Sequence, residues 1–317
     1  MALIPKNTAV SVPPPAAPQQ PPAKQEAKKE SFPSFIPVMP KYRLSDMILP
    51  EKTIASIRNA LALREKSELV FQVWGLEETH KHSSKVGINL YGPPGTGKTM
   101  AAHAIAHEFR KKLMIINYAD IESKYVGDTP KNITEAFRIA KESDSILFFD
   151  EADAILSKRV TNMNNATDTS VNQTRSVLLT LLNDYQGIII FATNYISNYD
   201  PAFMRRILAH IEFELPDLEC RKTMYARLIP GKMPTDVNIA VLAEEFEGVS
   251  GSDISNAILM AAFAAARANE TTVKHHYFHS ALSDIKKSQA ANQGTVRTDR
   301  VPVSEDAVKS VLGTIPS

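Results

Sequence analysis

Residues 87–99 read G-I-N-L-Y-G-P-P-G-T-G-K-T. A short apolar run (Ile88, Leu90, Tyr91) leads directly into a glycine-rich loop with the spacing G-x-x-x-x-G-K-[ST], carried by Gly92, Gly97, Lys98 and Thr99. Gly92, Gly95 and Gly97 allow backbone conformations that a side chain forbids, so successive N–H groups can turn onto phosphate oxygens. Lys98 supplies a point charge for the outer phosphates, and Thr99 supplies a hydroxyl suited to Mg²⁺. The helix expected over about 98 to 110 points its positive end at the same place. An ordinary glycine-rich turn between a strand and a helix is the bland alternative.

A second stretch argues against that alternative. Residues 145–153 read S-I-L-F-F-D-E-A-D. Four consecutive apolar residues suit a central strand covered on both faces, and the strand ends in two carboxylates, where parallel α/β sheets bind ligands. Asp150 is placed to hold Mg²⁺, and Glu151 to orient and deprotonate an attacking water.

Composition bounds the rest. The 317 residues suffice for one large domain or two modest ones, and 44% hydrophobic content is ample for a core. A net charge of +1 gives no electrostatic case for nucleic acid or an anionic membrane. One cysteine, Cys220, excludes an internal disulfide and suits a reducing compartment. Without a run of about 20 apolar residues or a signal-peptide layout, the expectation is a cytoplasmic protein with no membrane span.

Residues 1–45 are a Pro, Ala and Gln-rich tail and linker, read as disordered, although Phe32 to Leu44 carries enough apolar residues to pack on the core or dock a neighbour. Helical spacing begins after Pro50. Strands are expected at Leu113–Asn117, Gly187–Thr193 and His210–Phe213, and helices over 130–141, capped by Thr129, and over 171–183. The polar stretch 160–170 reads as an exposed loop. After Pro216 no strand pattern remains. Helices are expected near 218–228, 236–246, 253–268 and 274–287, then a linker over 289–301 and a short helix over 304–312. The predicted organisation is an α/β domain with a three-layer parallel sheet over 46–215, a small all-helical lid over 216–288 and a C-terminal segment over 289–317.

Asn194 closes the strand that ends at Thr193. Its amide could position a lytic water beside Glu151 or simply open a turn, and spacing leaves both open. Arg205 and Arg206 follow D-P-A-F-M, at a domain edge where a guanidinium would serve phosphoryl transfer. His103 and His107 share a helix, and His275, His276 and His279 cluster near another; lacking partners at ligand spacing, both sets are read as surface histidines.

These residues resemble a known family, the AAA+ ATPases, and within it the AAA branch of protein remodellers and unfoldases. The resemblance runs from about 46 to 288. It rests on G-P-P-G-T-G-K-T, F-F-D-E-A-D-A-I-L-S-K-R, F-A-T-N, M-R-R-I-L-A-H-I-E-F-E-L-P-D and F-E-G-V-S-G-S-D-I-S-N-A, in the family's order. It implies ATP and Mg²⁺ as cofactors. Pro93, Pro94, Gly95, Thr96, Gly97, Lys98, Thr99 and Met100 would bind nucleotide, and Thr99 and Asp150 the metal. Asn194 would sense the γ-phosphate, and Arg205 and Arg206 would act as fingers on ATP held by a neighbouring subunit. That arrangement implies a homo-oligomeric ring, usually a hexamer.

Asp46, Met47 and Ile48 resemble the adenine-pocket segment, although Leu49 stands where the family has Gly. Gly251 and Ser252 occupy the lid position at which other branches carry an arginine. Lys124, Tyr125 and Val126, followed by Gly127, resemble a pore loop that grips an extended polypeptide. The implied function is ATP hydrolysis coupled to remodelling, unfolding or disassembly of a protein substrate, reached directly or through an adaptor. The alternative is a nucleic-acid motor or a clamp- or helicase-loader, which the charge balance and Tyr125-Val126-Gly127 disfavour.

Overall fold

The computed structural model describes residues 35–80, 86–117, 121, 128–156, 166–195 and 199–294. Five strands form one all-parallel sheet: β1 (Val86–Tyr91), β2 (Leu113–Asn117), β3 (Ile146–Asp150), β4 (Ile188–Thr193) and β5 (Ala209–Glu212). Their order is β2-β3-β4-β1-β5. β1 therefore lies between β4 and β5, with Leu90 opposite Ala192 and Ile211. The chain leaves β1 for the far edge and works back toward it, so the loop after β1 opens at a switch point of the sheet.

Alternation along each strand divides the core in two. Met114, Ile116, Leu147, Phe149, Ile189 and Phe191 face one side, with Ile133, Phe137, Leu178 and Phe203 from its helices. Ile88, Leu90, Phe148, Ile190 and Ala192 face the other, against Ile57, Leu61, Ala101 and Ile105. A period of two with both faces apolar requires helices on both sides, hence three layers. The Phe149 and Phe191 rings stack at 5.3 Å in the middle of the first core.

Among the described residues the α-helices of this part include α1 (Glu51–Glu65), α2 (Lys98–Glu108), α3 (Asp128–Glu142), α4 (Asp153–Leu156), α5 (Ala166–Asp184) and α6 (Pro201–Met204). Pro50 occupies the N-cap position of α1, at the helix entry expected from the sequence. Two boundaries differ from expectation. α3 begins at Asp128, so Thr129 lies inside its first turn and does not cap it. α5 begins at Ala166, so the second half of the stretch read as a loop is helical: Thr, Asp and Ser are weak in helix interiors but suit a first turn.

The segment from Phe35 packs back on the core. Phe35 is buried, and Val38 makes a two-way backbone bridge with Leu113 (2.8 and 2.9 Å) at the edge of the sheet.

After β5 the chain is helical: α7 (Leu218–Leu228), α8 (Ile239–Glu245), α9 (Gly251–Arg267) and α10 (His275–Gly294). Asp217, Asn238 and Ser250 cap the first three of these through their side chains. Their core is separate from the sheet's, with Tyr225, Leu242, Ile254, Ala257 and Phe278 at its centre. α10 continues to Gly294, through the start of the predicted linker; the helix expected over 304–312 lies outside the described residues. Among the described residues no helix is long and apolar enough to cross a membrane.

Candidate active site

The loop after β1 is shaped by three glycines with positive φ: Gly92 at 141°, Gly95 at 76° and Gly97 at 97°. Each allows a close approach or a turn that a Cβ would oppose. At Gly92 an added Cβ would stand 2.1 Å from the Phe213 carbonyl oxygen. Gly97 leads into α2, whose first residue is Lys98. Thr96 closes the loop on itself, its hydroxyl donating to the Pro93 carbonyl at 2.8 Å.

Lys98 is buried, and its ammonium donates to the Gly92 carbonyl (2.8 Å), the Pro93 carbonyl (2.8 Å) and Asn194 Oδ1 (2.9 Å). All three donors are used, as a buried ammonium requires. Burial pulls its pKa below the usual lysine value, and the charges of Asp150 and Asp153 work against that shift. Thr99 donates to Asp150 Oδ2 at 2.9 Å. The carboxyl ends of β3 and β4 and the start of α2 therefore converge.

Glu151 follows at φ +51°, a left-handed conformation that is uncommon for a non-glycine residue. Its backbone N–H donates to Asp150 Oδ1 at 3.0 Å, and its side chain is exposed. Backbone strain of about 1–3 kcal/mol persists where its surroundings over-determine it, often at active sites. Here the next residue is pinned: Ala152 N–H donates to the Ala192 carbonyl at 2.9 Å.

The helical region closes on the same loop. Ser252 N–H donates to the Gly95 carbonyl at 3.3 Å, and Ser250, capped reciprocally by Asp253, lies against Gly95. Asp46, Met47 and Ile48 are half-buried on the other side, with the Met47 methyl beside Gly97. Arg227 of α7 reaches this segment, donating to the Ser45 carbonyl at 3.3 Å and pairing with Asp46 at 3.6 Å. The arrangement suits an anionic, phosphate-bearing ligand: inward-turned backbone, one fixed ammonium, and a hydroxyl–carboxylate pair able to hold a divalent cation.

A family model described as "ATPase family associated with various cellular activities (AAA)" matches residues 88–215, the span that contains the glycine-rich loop after β1 (the P-loop), Asp150, Glu151 and Asn194. A proteasome-activating nucleotidase of Sulfurisphaera tokodaii is 32% identical over 288 residues, which cover 88% of this chain and 71% of that protein. The chain belongs to the AAA ATPase family. A proteasome-activating nucleotidase of Saccharolobus solfataricus is 33% identical, and a 26S proteasome regulatory subunit 8 homolog of Schizosaccharomyces pombe 31%, each over 74% of this chain. This chain spans 60% and 59% of those two proteins.

As a AAA ATPase the protein binds and hydrolyses nucleotide. Of the residues named from sequence, the structure brings together Gly95 to Thr99, Asp150, Asn194, Met47, Gly251 and Ser252. It leaves Arg205 and Arg206 apart from the loop, exposed beyond α6. Arg206 is held by Asn183 Oδ1 (2.8 Å) and the Ala202 carbonyl (2.7 Å). The Arg205 side chain has no hydrogen-bond or ion-pair partner among the described residues, while its backbone N–H donates to the Pro201 carbonyl at 3.2 Å. Lys124, Tyr125 and Val126 lie outside the described residues.

Two features escaped the sequence reading. Asp153 accepts from the Thr193 hydroxyl and, at 3.4 Å, from Asn194 N–H. Its place three residues after Asp150 was the available signal. His103, read as a surface residue, is buried: Tyr42 meets it edge-on at 5.8 Å, and Lys41 N–H donates to its Nδ1 at 3.4 Å.

Proposed function

We propose that this ATPase works as a homo-oligomeric ring, of hexameric type, and couples Mg²⁺-dependent ATP hydrolysis to unfolding or disassembly of a protein substrate in the cytoplasm. The observation that carries the reading is the convergence of Lys98, Asn194, Thr99 and Asp150 at one sheet edge. The names of the relatives, proteasome activators and a proteasome regulatory subunit, support a protein substrate.

In this reading Lys98 exchanges its carbonyl partners for phosphate oxygens. Thr99 and Asp150 hold Mg²⁺, which when bound would offset phosphate charge. Glu151, strained and projecting, takes the proton of the attacking water, and Asn194 orients that water. Met47 and Ile48 line the adenine side, and Gly251 and Ser252 close the site from the helical region. Arg205 and Arg206, remote from their own P-loop, serve the neighbouring subunit. Tyr125, with Lys124 and Val126, grips the substrate, delivered directly or by an adaptor.

Two variants test the proposal. Glu151→Gln should retain ATP binding and lose at least ~10²-fold in turnover, within the usual scale of general-base assistance; wild-type turnover would remove Glu151 from that role. Tyr125→Ala should hydrolyse ATP within a few-fold of wild type yet fail to unfold a tagged model substrate. Full unfolding activity in that variant would overturn threading by this loop.

A further inference from the structure

Asp153 stands two residues beyond Glu151, at the first position of α4, and is half-buried. Among the described residues its carboxylate bonds the end of β4 and makes no hydrogen bond to the Thr99–Asp150 pair. One oxygen accepts the hydroxyl of Thr193, which is 1% exposed, and the other faces Asn194 N–H at 3.4 Å. The Thr193 hydroxyl in turn accepts Tyr195 N–H at 3.0 Å. Three consecutive residues at the end of β4 are thus tied to one carboxylate, directly or through one hydroxyl. The middle residue, Asn194, places its side-chain oxygen 2.9 Å from the Lys98 ammonium.

We propose that Asp153 is a positioning residue for ATP hydrolysis, holding Thr193 and the Asn194 backbone so that the Asn194 amide is aimed at the reacting phosphate beside Lys98. The proposal rests on the site reading above and adds a role for a carboxylate that neither holds the metal nor removes a proton. Asn194 and Tyr195 follow β4 outside any helix or strand, and a side-chain amide so placed would sample several directions. A carboxylate anchored on α4 fixes the direction in advance, so no reorganisation is needed at the moment of reaction. Because α4 begins just after Glu151, the same anchor keeps the general base and the water-orienting amide in register.

The role predicts losses in kcat with little change in nucleotide affinity. Asp153→Asn keeps the side-chain shape but presents an amide N–H₂ where an acceptor is needed. Thr193→Val keeps the shape of Thr193 and removes the hydroxyl. The full chain carrying each change would be assayed for steady-state ATPase activity and for binding of a fluorescent ATP analogue, with Lys98→Ala alongside. We expect each variant to lose at least ~10-fold in kcat while affinity stays within ~3-fold. The double variant should be no worse than the more severe single variant within ~2-fold, because both changes cut one linkage. Fold-only effects would instead lower the melting temperature while leaving turnover per nucleotide-binding site unchanged, and that pattern would overturn the proposal. So would a kcat within ~2-fold of wild type for Thr193→Val, which tests the linkage even if Asp153→Asn fails to fold. If Lys98→Ala bound the analogue normally, the site reading itself would fall and the proposal with it. Loss of binding in Lys98→Ala with normal turnover in both other variants would remove only the role of Asp153.

Discussion

His103 is a residue whose protonation the fold opposes. Its ring lies under Tyr42, with the Lys41 N–H donating to Nδ1. Burial first, and the Lys41 charge second, hold its pKa below the ordinary 6.5. The unfolded chain takes up this proton near pH 6.5, whereas the folded chain resists until lower pH. The unfolded state then binds more protons, so this contribution to stability is complete above that value and falls as pH drops through the window below it. Unfolding by urea, followed from about pH 7.5 to about 5.5, should show wild type losing stability relative to His103→Asn. A wild-type-minus-variant difference independent of pH would show that His103 does not titrate this way. The burial of His103 was not legible because α2 has no apolar stripe. Ala101, Ala102, Ala104 and Ala106 are all buried, so the helix is covered on most sides, and the cover over His103 comes from residues 41–42, far away in sequence. Lys98, Thr99 and Asp150 were legible because their chemistry demands fixed spacing at strand ends.

Among the elements, the N-terminus of α9 and the P-loop make a contact sensitive to a single added atom. Gly95 has φ +76°, and an added Cβ would stand 2.5 Å from Ser250 Oγ and 3.0 Å from Ser252 Cβ. Gly95→Ala must therefore strain the loop, displace α9, or both. Strain of about 1–3 kcal/mol, if borne by the binding-competent form, would weaken nucleotide affinity roughly 5- to 150-fold. Titration with a fluorescent ATP analogue measures this, and unchanged affinity would mean that the P-loop does not need α9 against it. Strand positions were read nearly to the residue, because period-two burial leaves little freedom. Helix ends were less legible: α5 begins earlier and α10 ends later than the pattern suggests, since the sequence over 166–170 and 288–294 is mostly polar and carries no apolar period.

At the scale of the whole molecule, the proposed role of the arginines bears on whether one chain is a complete enzyme. The Arg206 guanidinium is fixed by Asn183 and Ala202, and among the described residues the cation bonded to the P-loop carbonyls is Lys98. Motif order made the pair visible in the sequence, but which chain's site it would serve depends on a second copy and could not be read from one chain. If the pair completes a neighbour's site, Arg205→Ala/Arg206→Ala should bind ATP yet hydrolyse it poorly, because a finger is worth 10³–10⁵ in turnover in related phosphoryl transfers. Lys98→Ala should be inactive for the opposite reason, lacking binding while keeping its arginines. Mixing the two inactive proteins creates interfaces at which an intact P-loop meets intact arginines, and activity should return as the mixing ratio approaches equality. ATP that bridges two subunits also favours the assembled state by mass action, so sedimentation should shift to larger species when ATP is added to wild type. Full activity in the arginine variant, or mixtures that stay inactive although they co-sediment, would place the charge-stabilising group elsewhere.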